Sequence, residues 1–229
     1  MIFISKRIMS FCWLLCLCMV LACWLWKWHD KRNMVNYTKP TKEQRYNLKN
    51  NMKTRCYNTN YHKVRPDYKD CTICDEWLDD KKSFYEWVDH NFYEIEGQPT
   101  VELDKDILVP GNKVYSPDTC IFVPKRINDL FVHIHGRKKN GLPTGVTYSK
   151  KTGKYQAAVR ESCKDTDSKD EDKKKTVRLG FFDTIEEAYE VYKTHKMAEI
   201  IYIADCYKDV IPDKLYQAMI NWKFDEITA

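Results

Sequence analysis

Glycine and proline are scarce, at 7 and 8 residues in a chain of 229, which excludes a collagen-like or low-complexity architecture. No self-similarity at a solenoid period is present, so a stacked array of repeats is excluded as well. An excess of charge of one sign is also lacking. The net charge is +5, and Lys6, Arg7, Lys27, Lys31 and Arg32 stand against Asp30 alone in residues 1–33, which leaves the remainder close to neutral. Any binding of nucleic acid must therefore rest on where charges sit, not on their sum. Apolar material is plentiful, with 43% hydrophobic and 14% aromatic residues. That is enough to bury one large core or two small ones, and it rules out disorder of the whole chain.

Long hydrophobic runs are absent but for one, from Phe11 to Trp26, with Lys6 and Arg7 before it and Lys27 to Arg32 after it. Three readings compete. As a membrane span the run is marginal, since even counted from Ile8 across Ser10 it only just reaches the about 20 apolar residues a bilayer core requires. As a signal peptide it offers only Val20-Leu21-Ala22-Cys23, an imperfect lipoprotein-type box with a poor mature start at Trp24-Leu25-Trp26. The preferred reading is an upstream stretch read from a wrongly assigned start, with Met34 opening the working chain. Residues 1–33 are set apart from the fold on that ground, a cytoplasmic location is expected, and membrane association stays as the minor alternative.

Of the ten cysteines, Cys12, Cys16, Cys18 and Cys23 lie in that run. The other six are too scattered for a small disulfide framework and suit a reducing compartment. Cys71-Thr72-Ile73-Cys74 is a CxxC that, with Cys56 and Cys120, could supply four thiolates to a structural Zn²⁺. No second CxxC accompanies it, and ordinary buried thiols are the weightier reading.

From Met34 onward, Thr41 and Gln44 have capping-box spacing ahead of a polar helix running toward Lys53. A second helix is expected from about Asp80, with Phe84, Trp87 and Val88 forming a buried stripe beside Trp77. Val101 to Leu108 alternates as a strand does, Pro110-Gly111-Asn112 is a turn, and Cys120 to Val123 is a second β-run. Pro124 then opens a short helix containing Asn128. Strand, turn, strand and helix make a ββα unit.

At these residues the chain resembles a known group. Met52 to Asn58, Cys74-Asp75-Glu76-Trp77, Leu103-Asp104-Lys105-Asp106 and Gly111 to Cys120 look like the HNH-related proteins of phages and other mobile elements, over roughly residues 41–131. The resemblance implies a ββα site in which one divalent ion, Mg²⁺ or Mn²⁺, meets the scissile phosphate of DNA. It assigns Asp104 and Asp106 as acidic ligands, Asn112 as the brace of the turn, and Asn128 as the third position on the helix. One element departs from the pattern. No His occurs between Val101 and Asn128, and a carboxylate with an ordinary pKa is a poor base. His133 and His135 point the same way if extended and could grip a metal, but beside Gly136, Arg137, Lys138 and Lys139 they read more readily as a basic linker.

Farther on, Gly145 to Tyr148 and Lys151 to Arg160 read as a hairpin, and Thr176 to Phe182 as a third strand. Thr184 and Glu187 then form a capping box for a helix whose stripe is Ile185, Ala188, Tyr189 and Tyr192. Tyr155, Ala157, Val159, Val177 and Leu179 alternate toward that stripe, which turns Lys154, Gln156, Arg160, Thr176 and Arg178 to the other face. This stretch, roughly Leu142 to Tyr202, is similar to the Apetala-two (ethylene-response-factor type) DNA-binding domain. Its most specific pieces are Gly153-Lys154-Tyr155, Ala158-Val159-Arg160, Leu179-Gly180-Phe181 and Asp183 to Tyr189. The resemblance implies a three-stranded sheet lying in the DNA major groove, with Arg160 on a base or phosphate, Lys154 on the backbone, Tyr155 following it, and Arg178 where plant members have Trp. Thr144, Thr147, Ser149 and Ala158 differ from the plant contact residues, so the target sequence is not inherited.

Local charge agrees independently. Gly136 to Gly180 holds thirteen basic and six acidic residues, but Cys163 to Lys175 takes five of each and reads as a solvated excursion, leaving eight to one elsewhere. Pro212 introduces a final helix with Leu215, Tyr216, Met219 and Ile220 on one side.

The expected architecture is α+β: an HNH-like ββα module over 34–135, a basic linker over 136–141, and over 142–229 a three-stranded antiparallel sheet packed on one helix, with a terminal helix. The expected function is a mobile-element DNA-binding protein that nicks DNA as an HNH-type endonuclease, guided by the second module. A scaffold that binds DNA without cleaving it is the alternative. The DNA-facing set is Lys150, Lys151, Lys154, Tyr155, Gln156, Arg160, Thr176 and Arg178; the partner is double-stranded DNA, and no small-molecule cofactor is implied.

Overall fold

A computed structural model describes residues 35–131, 141–162 and 174–224, and the side chains of 161, 162, 174 and 175 are outside that description. The apolar run, His133, His135, the linker over 136–140 and most of the Cys163 to Lys175 excursion lie outside the described residues. Among the described residues, no helix is long and apolar enough to cross a membrane.

The chain begins with β1 (Asn36–Tyr37) and α1 (Lys42–Tyr57). Both bonds of the capping box form, since Gln44 N–H donates to Thr41 Oγ1 at 3.1 Å and Thr41 N–H to Gln44 Oε1 at 2.7 Å. Two short helices follow, α2 (Thr59–Val64) and a 3₁₀ turn (Pro66–Tyr68), then β2 (Thr72–Ile73), α3 (Asp75–Asp79) and α4 (Lys81–Asn91). Asp80 caps α4 by accepting from the N–H groups of Lys82 and Ser83. The aromatic stripe is core: Trp77, Phe84 and Val88 are fully buried. Trp77 meets Phe84 and Trp87 at ring separations of 5.0 Å, in the range where aromatic pairs attract.

After β3 (Tyr93–Glu94) come β4 (Glu102–Asp104), β5 (Val114–Tyr115), β6 (Ile121–Val123) and α5 (Lys125–Phe131). Strand β4 pairs antiparallel with β6, and α5 packs against β4, so a ββα arrangement is present. The strand expected through Leu108 stops at Asp104. Asp104 Oδ1 accepts from the N–H groups of Asp106 and Ile107 at 2.9 and 2.8 Å. An aspartate that takes up its neighbours' donors bends the chain and ends the ladder.

The three-stranded antiparallel sheet has the order β7 (Val146–Ser149), β8 (Lys154–Ser162), β9 (Lys174–Phe182). Helix α6 (Ile185–Tyr207) covers one face, with its Thr184–Glu187 capping box formed, and α7 (Asp213–Ile220) ends the described fold. Val146, Ala157, Val159, Ala188, Tyr189 and Tyr192 make a small core between sheet and helix. The second half of α6 serves another core. Ile200, Ile203, Ala204 and Tyr207, with Leu215 and Met219 of α7, join the large cluster built on Trp77, Phe92 and Phe122. One 23-residue helix thus closes both cores, its first half on the small one and its second half on the large one.

Gly145, where β7 begins, has φ +84°, and a Cβ added there would lie 2.1 Å from Tyr192 Cδ2. Gly145→Ala is expected to cost about 2–4 kcal/mol of stability, from backbone strain plus overpacking in the small core. Urea unfolding checks this, and a loss under about 1 kcal/mol would contradict the close approach of strand and helix.

Candidate nucleic-acid interface and carboxylate cluster

The register of the sheet decides which side chains share a face. Along β8, Ala157 and Val159 are buried against α6. The alternate residues Gln156, Ala158 and Arg160 therefore point away from it. Their partners on β9 are Phe181, Arg178 and Thr176, and Thr147 of β7 lies opposite Gln156. Arg160, Thr176, Arg178 and Thr147 are exposed, and among the described residues neither arginine has an ion-pair partner. Lys150 and Lys151 are exposed in the β7–β8 turn. Lys154 shares its charge with Asp183, Nζ to Oδ1 2.9 Å. Tyr155 does not join this face. It is paired in register with Tyr148 and Phe182, packs on the small core, and meets the Tyr148 ring at 5.3 Å.

Phe181 is the residue that alternation alone misplaces. A register shift falls between Ala157 and Ala158: Gly180 pairs with Ala157 and Arg178 with Ala158, leaving Leu179 as an extra residue. Such a bulge resets the alternation. Arg178 and Phe181, three apart, consequently face the same way. Gly180 beside the extra residue is the one sequence signal that marks this spot.

In the ββα unit, Leu103 is buried, while Glu102 and Asp104 lie half-buried on the other face of β4. The Asp104 carboxyl is held above its ordinary range, to about 6, first by burial and then by the negative charge of Asp106, against the opposing pull of its two backbone hydrogen bonds. Asp106 Oδ2 is paired with Lys105 Nζ at 3.2 Å. Lys105 is itself buried and also donates to the Asn112 carbonyl at 2.9 Å. Burial pulls its ammonium down, but Asp106 and the groups around it outweigh that and leave it above its usual value. Asn112 ties the turn together, donating from Nδ2 to the carbonyls of Lys105 and Val114 and accepting the Val114 N–H at Oδ1. Asn128, on α5, donates from Nδ2 to Glu102 Oε2 at 2.6 Å. Glu102 and Lys105 were not singled out from the sequence; the i, i+2 spacing of Glu102 and Asp104 on a strand was the available signal for the first.

No family model, no characterised protein and no solved structure matches this chain.

The cysteines stand apart from these carboxylates. Cys56, Cys71 and Cys120 are buried and Cys74 is half-buried, all as free thiols. Burial pushes Cys56 and Cys120 up to about 12, and Cys71 is raised as well. Among the described residues, no three His, Cys, Asp or Glu side chains gather as a metal-ligand group. Cys56, Cys71, Cys74 and Cys120 therefore do not form a tetrathiolate set, and their burial opposes the thiolate form that zinc requires. The oxygen donors are different in kind. Asp104 and Asp106 are two nearby carboxyls, the first raised by burial and then by the charge of the second.

Proposed function

We propose that the chain binds double-stranded DNA through the open face of β7, β8 and β9, and that the ββα unit beside it acts as an HNH-type, metal-dependent nicking centre. One observation carries the first part: the register that turns Arg160, Arg178, Thr176, Gln156 and Thr147 to a single exposed side, opposite the helix. Cations on one side of a small sheet, with Lys150 and Lys151 at its edge, are an electrostatic footprint for phosphate. A twisted sheet can enter a groove as other β-sheet readers do. Such a protein would work in the cytoplasm, with the DNA of a mobile element.

For the second part, the carboxylate oxygens of Asp104 and Asp106 suit a Mg²⁺ or Mn²⁺ ion rather than a softer metal, and among the described residues no third acidic, imidazole or thiol side chain gathers with them. Asp104 and Asp106 would hold it with the amide oxygen of Asn128, whose Nδ2 already points at Glu102. Such an ion, when bound, polarises a phosphoryl oxygen and lowers the pKa of a coordinated water. Lys105 holds Asp106 in place, and Asn112 holds the turn that carries both. Supercoiled plasmid incubated with the chain, with and without Mg²⁺ or Mn²⁺, tests this. Nicking that requires the ion and disappears in Asp104→Ala is the expected result.

A second reading, DNA binding without cleavage, has its own support. The Lys105 ammonium already neutralises Asp106, and no imidazole lies between Val101 and Asn128. Retained DNA binding with no nicking under either ion would establish it in place of the first.

A further inference from the structure

We propose that Gln156 and Phe181 together read an A·T base pair in the major groove, a specificity that rests on the sheet face being the DNA-binding face. The two residues are direct cross-strand partners between β8 and β9. Neighbours of this kind on one face bring their Cβ atoms to roughly 5 Å. The Leu179 bulge puts Phe181 on this face, where it is 45% exposed. Its setting is polar: Thr147 lies across from Gln156, and the next row holds Ala158 and Arg178.

An exposed apolar side chain is by itself unremarkable on a protein surface. Phe181 differs from its peers. Among the described residues, the other large exposed aromatics are Tyr37, Tyr46, Tyr57, Tyr148 and Tyr202, all of them tyrosines that carry a polar hydroxyl, and Phe181 carries none. A ring without a polar handle, set in a row of amide and hydroxyl groups, fits a partner that is polar with one apolar spot.

The major-groove edge of an A·T pair is such a partner. Adenine presents the N7 acceptor and the N6 donor, which an amide side chain meets with two hydrogen bonds, and thymine presents its C5 methyl beside them. Gln156 supplies the amide and Phe181 the apolar contact. A G·C pair offers O6 in place of the N6 donor and has no methyl, so both halves of the match fail together. Ala158, the small residue opposite Arg178, leaves that guanidinium room to reach a neighbouring pair.

The full-length chain is used to select duplexes from a randomised pool, and the chosen site is then remade with uracil for thymine, which deletes only the C5 methyl. The wild type is expected to select A·T at one position and to lose affinity about fourfold on the uracil duplex, as removal of one methyl contact implies. Phe181→Ala should bind thymine and uracil duplexes alike, Phe181→Leu should keep part of the difference, and Gln156→Ala should relax the A·T choice. Selection without an A·T position, or an equal uracil penalty in wild type and Phe181→Ala, overturns the pairing while leaving DNA binding intact. Failure to retain any duplex from the pool overturns the DNA-binding reading and this inference with it.

Discussion

Asp104→Asn is expected to make the folded chain more stable at neutral pH, on the order of 1 kcal/mol or more, and to flatten part of its pH dependence. The carboxyl of Asp104 is raised from 3.8 to about 6 in the folded chain. The folded state therefore holds that proton more tightly than the unfolded chain does. Stability contributed by the protonated form is complete below 3.8, declines as pH rises toward about 6, and is gone above it. An asparagine keeps the oxygen that accepts from the Asp106 and Ile107 N–H groups and has no charge to bury. Urea melts of both proteins across pH 4 to 7 give the difference directly; it should grow with pH and then level off. Parallel curves for the two would contradict the buried, charge-crowded setting assigned to Asp104. Asp106→Asn should act in the opposite sense, because it strips the buried Lys105 ammonium of its carboxylate. A side chain whose ionisation destabilises its own fold is often kept for chemistry.

The second large effect falls on affinity. Arg160→Ala combined with Arg178→Ala is expected to weaken duplex binding on the order of a hundredfold or more, since each well-placed arginine is worth about 1–3 kcal/mol at a base edge. The salt dependence should fall too, by about 2 in the log–log slope, if both arginines meet phosphate instead. The two outcomes separate base reading from backbone contact. Both side chains are exposed on the open face, so the melting temperature should hardly move. Unchanged affinity in a gel-shift titration would remove this face as the binding surface.

The parts of the fold that the sequence made legible are those fixed by local chemistry. Capping boxes at Thr41 and Thr184, the stripe Phe84–Trp87–Val88 and the alternation of Ala157 and Val159 depend on neighbours a few residues away. Less legible was whatever depended on distant partners. The early end of β4 comes from the Asp104 carboxylate outcompeting the ladder for two N–H groups, and an alternating hydrophobic pattern hides that. The role of α6 as a shared wall could not be read from its own stripe, because Ile200 and Ile203 look the same whichever core they enter. In the candidate site, Asp104, Asp106 and Asn112 were assigned by resemblance, and Arg160 and Arg178 by resemblance together with their alternation on the sheet. Phe181 was hidden by a one-residue bulge and Lys105 by its burial, which only the packed structure reveals.

Binding of a fluorescent duplex to the full-length chain, followed by anisotropy as salt is raised, tests whether the open sheet face holds DNA. With Lys150, Lys151, Lys154, Arg160 and Arg178 on or beside one face, binding should be tight at low salt and weaken on the order of a hundredfold between about 50 and 200 mM. No binding at low salt, or an affinity indifferent to salt, would contradict DNA binding at this face.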